Sequence, residues 1–155
     1  MAPPGSERRP YLRPSWFERQ IIAGVPGADR IAAGLASRLT GDALLQVRGR
    51  RSGRLRTTMA RTITVAEKRY VVAIRGETQW ARNLRAAGEG VLRESGESRR
   101  ISAVEVDGEE RRAVVEAFIH SSKYAPTRRI MTDLLPEPDQ HPVFRIGFLD
   151  RPGSS

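Results

Sequence analysis

The feature of this sequence that most restricts its fold is a series of short β-patterned runs that begins near Ala43, each closed by a turn-forming cluster. Ala43 to Val47 reads as a strand, Gly49 to Gly53 as a glycine-bounded turn, and Leu55 to Val65 as a second strand, which makes a hairpin. Ala66, Glu67 and Lys68 turn the chain into Arg69 to Ile74, where Tyr70, Val71, Val72 and Ile74 are strand formers. Thr78 stands at the N-cap position of a helix that carries Trp80, Asn83, Leu84 and Ala87 on one side and stops at Gly88. Strands resume at Val91 to Glu94 and Arg99 to Val106, joined around Gly96. Asp107 and Glu110 have the spacing of a capping box, and Val114, Val115, Phe118 and Ile119 form the inner face of the helix that follows. An amphipathic segment through Ile130, Met131, Leu134 and Leu135 leads past Pro136 and Pro138 to a last strand, Pro142 to Leu149. This pattern predicts a mainly β fold with added helices, an antiparallel barrel of about six strands with helices inserted and appended.

Length and composition narrow the chemistry. A chain of 155 residues is one domain with room for a real core. With no cysteine it has no disulfide framework, thiolate metal site or cysteine nucleophile. His120 and His141 are its only imidazoles, too few for a three-histidine zinc site, so no metal is expected. Residues 1–14, rich in proline and arginine, read as a flexible leader, and 151–155 as a frayed tail. Between them the domain divides into helices at 15–40, with Trp16, Phe17, Ile21, Ile31, Leu35 and Leu39 at helical spacing, and the barrel at 41–150. The helical stripe would pack on the barrel or touch lipid peripherally at the inner membrane face. No apolar run near the N-terminus is long enough for a signal core, which predicts a cytoplasmic protein. The net charge of +9 favours an anionic partner, and nearly all of it is arginine, Lys68 and Lys123 being the only lysines.

Two segments concentrate chemistry. Gly49-Arg50-Arg51-Ser52-Gly53-Arg54-Leu55-Arg56-Thr57-Thr58 combines guanidinium forks, hydroxyls and glycines that admit a close ligand, the donor set for phosphate or carboxylate. A solvated hairpin tip is the equal alternative, and such a hairpin could also sit on a nucleic-acid backbone. Gly76-Glu77-Thr78-Gln79-Trp80-Ala81-Arg82-Asn83-Leu84-Arg85-Ala86-Ala87-Gly88 sets an aromatic plane and an amide on one helix face, where they would border a flat ring or plug the barrel end.

Together, in this order and spacing, the two segments resemble the deazaflavin (F420)-dependent nitroreductase family, and Ala103-Val104-Glu105-Val106 and His141-Pro142-Val143-Phe144-Arg145 extend the likeness over roughly residues 43 to 146. The resemblance implies a split β-barrel of the FMN-binding type. It also implies a reductase that passes hydride from reduced coenzyme F420 to a quinone, nitroaromatic or activated enone, with FMN a less favoured ligand. Arg50, Arg51, Arg54 and Arg56 would then neutralise the phosphate and polyglutamate tail while Ser52, Thr57 and Thr58 hydrogen-bond it. On the same basis Met59, Ala60 and Arg61, with Ala73 and Gly76, would line the ring system, and Trp80 and Asn83 would close its side. Phe118, Tyr124 and Met131 would form an apolar substrate wall. Tyr124 is the candidate proton donor, with water and His120 as competitors. Met59 and Arg61, and Ile74 with Arg75, stand where the family commonly has other residues, a change that bears on acceptor choice.

Other readings keep the residues and change the partner. A split barrel can hold FMN, haem or another tetrapyrrole without deazaflavin turnover. A basic hairpin with stacking tryptophans could instead serve nucleic acid, although that surface calls for a broad basic stripe rather than one loop, so nucleic acid is not the expected partner. A monomer or a homodimer is expected.

Overall fold

In the computed structural model, which describes residues 43–122 and 125–149, the chain folds as a closed barrel of six antiparallel strands. The strands are β1 (Ala43–Arg48), β2 (Leu55–Val65), β3 (Lys68–Val72), β4 (Glu89–Glu94), β5 (Glu97–Val106) and β6 (Val143–Phe148), in the order β1-β2-β3-β6-β5-β4. Helix α1 (Gln79–Ala87) is inserted between β3 and β4. Between β5 and β6 lie α2 (Gly108–Ser121), the short α3 (Ala125–Arg129), a π-helical turn (Ile130–Leu134) and a 3-10 turn (Pro138–Gln140). The leader and helices expected at 1–40, Tyr124 and the tail lie outside the described residues.

Hairpin register follows the turns. Arg48 pairs with Leu55 and Ala43 with Ala60, so the Gly49–Gly53 turn sits at one barrel end. At the other end Ala66 and Glu67 both have positive φ, 49° and 67°, the conformation that a two-residue hairpin turn requires. β1 closes the barrel on β4, with Leu45 opposite Leu92, and Gly90 lets the two strands approach, since a Cβ there would lie 2.8 Å from the Gln46 carbonyl oxygen.

Alternation along each strand separates two apolar clusters. Leu45, Val47, Ala60, Val71, Leu92, Ile101, Phe144 and Ile146 fill the barrel, together with Ala81 and Leu84 from α1. On the outer face Tyr70, Val72, Val106 and Val143 pack against Val114, Val115 and Phe118 of α2 and against Met131. This matches the expected inner face of α2, with Arg111 added to it; Ile119 is only partly buried.

Three expectations are corrected. β3 ends at Val72 rather than Ile74: the Ala73 N–H still donates in register to the Pro142 carbonyl at 2.9 Å, but Pro142 has no N–H to return the bond and the ladder stops there. β4 begins at Glu89, immediately after Gly88 ends α1 in the left-handed conformation (φ 70°). The capping box at Asp107 does not form, since the Asp107 side chain makes no cap hydrogen bond. The Glu110 carboxylate instead accepts from the Tyr70 hydroxyl at 2.8 Å and from Arg145 at 2.9 Å, a charge-assisted pair that competes with the cap.

Candidate coenzyme site at the barrel mouth

The β1–β2 turn is held by its own backbone. The Gly49 N–H donates to the Arg54 carbonyl at 2.7 Å, the Gly53 N–H to the Gly49 carbonyl at 2.9 Å, and Arg48 to the Gly53 carbonyl at 2.6 Å. The Arg54 N–H also donates to the Ser52 Oγ at 3.2 Å. Arg51, Ser52, Arg54 and Arg56 are exposed, and among the described residues the guanidinium groups of Arg51, Arg54 and Arg56 form no ion pair. Three like charges gathered at one end of the β1–β2 hairpin repel one another, and an anion relieves that repulsion.

α1 starts at the same barrel end, because β3 runs towards it and Thr78 then caps the helix, accepting from the Ala81 N–H at 3.2 Å. The first turn of α1 brings Gln79 and Asn83 against the loop. The Asn83 Oδ1 accepts from the Arg50 backbone N–H at 3.2 Å and from its guanidinium at 2.8 Å, and the Gln79 Oε1 accepts from the same guanidinium at 3.0 Å. Thus the two segments singled out in the sequence meet. Arg50, expected to bind an anion, spends two of its guanidinium contacts on fastening the loop to α1. Asn83 is buried and faces Arg50. Trp80 packs on the barrel core, its ring 6.1 Å from Phe144 and tilted by 50°, a contact that adds about 1 kcal/mol to the area both rings bury.

β2 divides the remaining predicted residues between its two faces. Arg56 and Thr58 lie opposite Val47 and Leu45 and, with the buried Ala60, share the inward face. Thr57 and Met59 pair with Gln46 and Leu44 and, like Arg61, face outward. A ligand on one side of this strand therefore meets the side chains of one set, not of Met59, Ala60 and Arg61 together. Ala73 and Gly76 form a turn below α1, the Gly76 N–H donating to the Ala73 carbonyl at 3.2 Å. Phe118 and Met131 are buried in the outer cluster at 5% and 1% exposure, so in this conformation they pack α2 and the π-helical turn against the barrel rather than face an open cavity. His120 is exposed on α2.

Several residues that shape this end were not singled out. Gln79 holds Arg50. Glu77, 5% exposed, accepts from Arg85 at 3.2 Å, and Arg85 also donates to Glu105 at 3.0 Å. Hydrogen bonds to Glu105 first, and to Glu77 next, hold the Arg85 guanidinium more firmly protonated than usual. Arg111 extends the network, donating to the Val106 carbonyl at 3.0 Å and to Glu105 at 3.4 Å. The network ties α1, β5 and α2 into one frame. The only sequence signal for it was the motif that contains Glu77, Gln79 and Arg85.

A closed six-stranded antiparallel barrel with a helix inserted after its third strand has the split-barrel, FMN-binding-like fold. The family described as F420H(2)-dependent quinone reductase matches residues 27–135, and this chain belongs to that family, whose members transfer hydride from reduced F420 to quinones. The solved structure of an F420-H2 dependent reductase, FDR-A, is similar at 21% identity, with 68% of this chain and 93% of that chain covered and a TM-score of 0.54. A structure described as a domain-swapped dimer is 19% identical, covering 77% and 98%, with a TM-score of 0.52. HutZ, a haem storage protein from Vibrio cholerae, is 15% identical, covering 79% and 89%, with a TM-score of 0.54. At these identities the structures show the fold alone. No curated protein matches the chain. No helix among the described residues is long and apolar enough to cross a membrane.

Proposed function

We propose that this chain binds reduced F420 at the mouth formed by the β1–β2 turn, β2 and α1, and passes its hydride to a flat acceptor such as a quinone, with nitroaromatics and activated enones as further substrates. The observation that carries the reading is the Arg50–Asn83 junction, which unites the two motif segments and leaves Arg51, Arg54 and Arg56 facing solvent without ion-pair partners among the described residues. That donor set fits the coenzyme, since guanidinium forks match phosphate and carboxylate while the hydroxyls of Ser52, Thr57 and Thr58 add neutral donors.

When bound, the coenzyme supplies the hydride. The protein's part is orientation and charge neutralisation: the arginines hold the anionic tail, Arg50 and Asn83 fix the loop, and Thr58 and Ala60 present the inward face of β2. The acceptor's proton comes from Tyr124 or from solvent. The test is a fluorescence titration of the purified protein with reduced F420, followed by menadione, repeated with Arg51→Ala. Tight binding, weakened in the variant, with coenzyme oxidation on adding the quinone, supports the reading. No binding by the wild-type protein overturns it.

A further inference from the structure

His141 is fully buried, and both of its ring nitrogens face backbone carbonyls: Nδ1 lies 3.1 Å from the Ala73 oxygen and Nε2 lies 2.8 Å from the Leu135 oxygen. Backbone carbonyls only accept, so a neutral imidazole donates to one of them while its other nitrogen packs against the second, and only an imidazolium donates to both; either way the ring is a strut wedged between two pieces of backbone. Neither carbonyl is in a strand ladder. Leu135 closes the π-helical turn, its N–H donating to the Ile130 carbonyl at 2.8 Å. Ala73 begins a hydrogen-bonded run to the candidate site: Gly76 N–H to Ala73 oxygen at 3.2 Å, Thr78 N–H to Gly76 oxygen at 2.8 Å, and Thr78 Oγ1 capping α1, which carries Asn83 to Arg50. The Ala73 N–H is itself held by the Pro142 carbonyl at 2.9 Å, next to His141 in the chain.

We infer that His141 is a positioning residue for the reductase site: it fixes the Ala73–Gly76 turn that sets α1, and ties it to the segment ending at Leu135. The inference rests on the proposed function and on the resemblance, which implies that Ala73 and Gly76 line the coenzyme ring and that Tyr124 and Met131 border the acceptor. A plain core histidine would satisfy its ring on any two acceptors. Here the acceptors belong to the two segments that would flank coenzyme and acceptor, so coenzyme affinity and acceptor KM should move together when the ring is lost.

The experiment compares His141→Phe, which fills the space without donors, with His141→Gln, whose amide keeps a donor for one carbonyl. In folded His141→Phe, the Kd for reduced F420 and the KM for menadione both rise, by about tenfold if one buried donated bond is lost, with a smaller change in kcat; His141→Gln recovers part of both. A folded His141→Phe with wild-type Kd and KM overturns the inference. If His141→Phe does not fold, nitrogen-labelled wild-type protein decides. Only two histidines are present, and a His120→Gln variant assigns their signals. A shift of the His141 ring signals on saturation with coenzyme supports the strut, and unchanged signals overturn it. Failure of the wild-type protein to bind coenzyme at all is a separate result, which overturns the proposed function first.

Discussion

A single oxygen of Asn83 accepts from Arg50 twice, from the backbone N–H at 3.2 Å and from the guanidinium at 2.8 Å, and so fixes both the path of the turn and the direction of its first arginine. Removing that acceptor leaves a charged donor without its partner, a loss of about 1.5–3 kcal/mol for a hydrogen bond to a charged group. Asn83→Leu should therefore weaken reduced F420 binding by about tenfold or more. Asn83→Asp keeps the acceptor and adds a charge opposite Arg50, so its affinity should stay near that of the wild type. Fluorescence titration of both variants checks this, and equal losses in the two would mean that Asn83 touches the ligand through its amide rather than through Arg50.

Arg51, Arg54 and Arg56 stand in solvent, where each charge contributes about 1 kcal/mol to anion binding, a factor of about five. Each alanine variant should lose about that factor in coenzyme affinity, and the loss should shrink as salt is raised towards molar concentrations, where screening falls to about 3 Å. Hydride transfer at saturating coenzyme should be unchanged, because in the proposed binding mode these groups act on the tail. Stopped-flow oxidation with menadione at two salt concentrations separates the two effects.

The strands were legible because alternation and turn chemistry agreed: β2 was bounded at Leu55 and Val65 from sequence, and the helix from Thr78 to Gly88 carried its own stop signals. The apposition of the two motif segments was not legible, because it depends on barrel closure bringing β3 to the same end as the β1–β2 turn. Glu110 shows the limit of local reading. Its spacing from Asp107 satisfies a capping box, yet Tyr70, distant in sequence and fixed beside it by β3, takes the carboxylate. His141 was legible only as a motif letter, since its two acceptors lie 68 and 6 residues away.

The Tyr70–Glu110–Arg145 cluster predicts stability limits at both ends of the pH scale. The hydrogen bond from Tyr70, and then the Arg145 charge, hold the Glu110 carboxyl below its usual range against some desolvation. A depressed acid contributes stability above its unfolded pKa, and that stability is lost as pH falls through the folded value. Burial first, and then the Glu110 hydrogen bond, raise the Tyr70 hydroxyl above 10.0. That contribution is present below the unfolded tyrosine value and is lost as pH rises through the folded one. Tyr70→Phe should flatten both flanks of the urea midpoint against pH, and Glu110→Gln mainly the acid flank. Unfolding curves at pH 3 to 11 test this, and an unaltered acid flank in Tyr70→Phe would count against the linkage.

Gly90 and Gly147 separate a rigid close approach from a soft one. A Cβ at Gly90 would meet the Gln46 carbonyl oxygen at 2.8 Å, and that oxygen belongs to β1, the strand that ends in the Gly49–Gly53 turn. Backbone cannot rotate away, so Gly90→Ala must part the β1–β4 seam, at a cost of about 1–3 kcal/mol for overpacking. At Gly147 the obstacle is the Ser102 Oγ at 3.0 Å, the end of a side chain that can change rotamer. Gly147→Ala should therefore cost well under the Gly90 change, about 0.5 kcal/mol. Because the seam sets where β1 delivers the turn, Gly90→Ala should also weaken coenzyme binding while Gly147→Ala leaves it alone. Urea unfolding and the fluorescence titration, run on the same two variants, test both halves; equal destabilisation would show that the seam yields as easily as a side chain does.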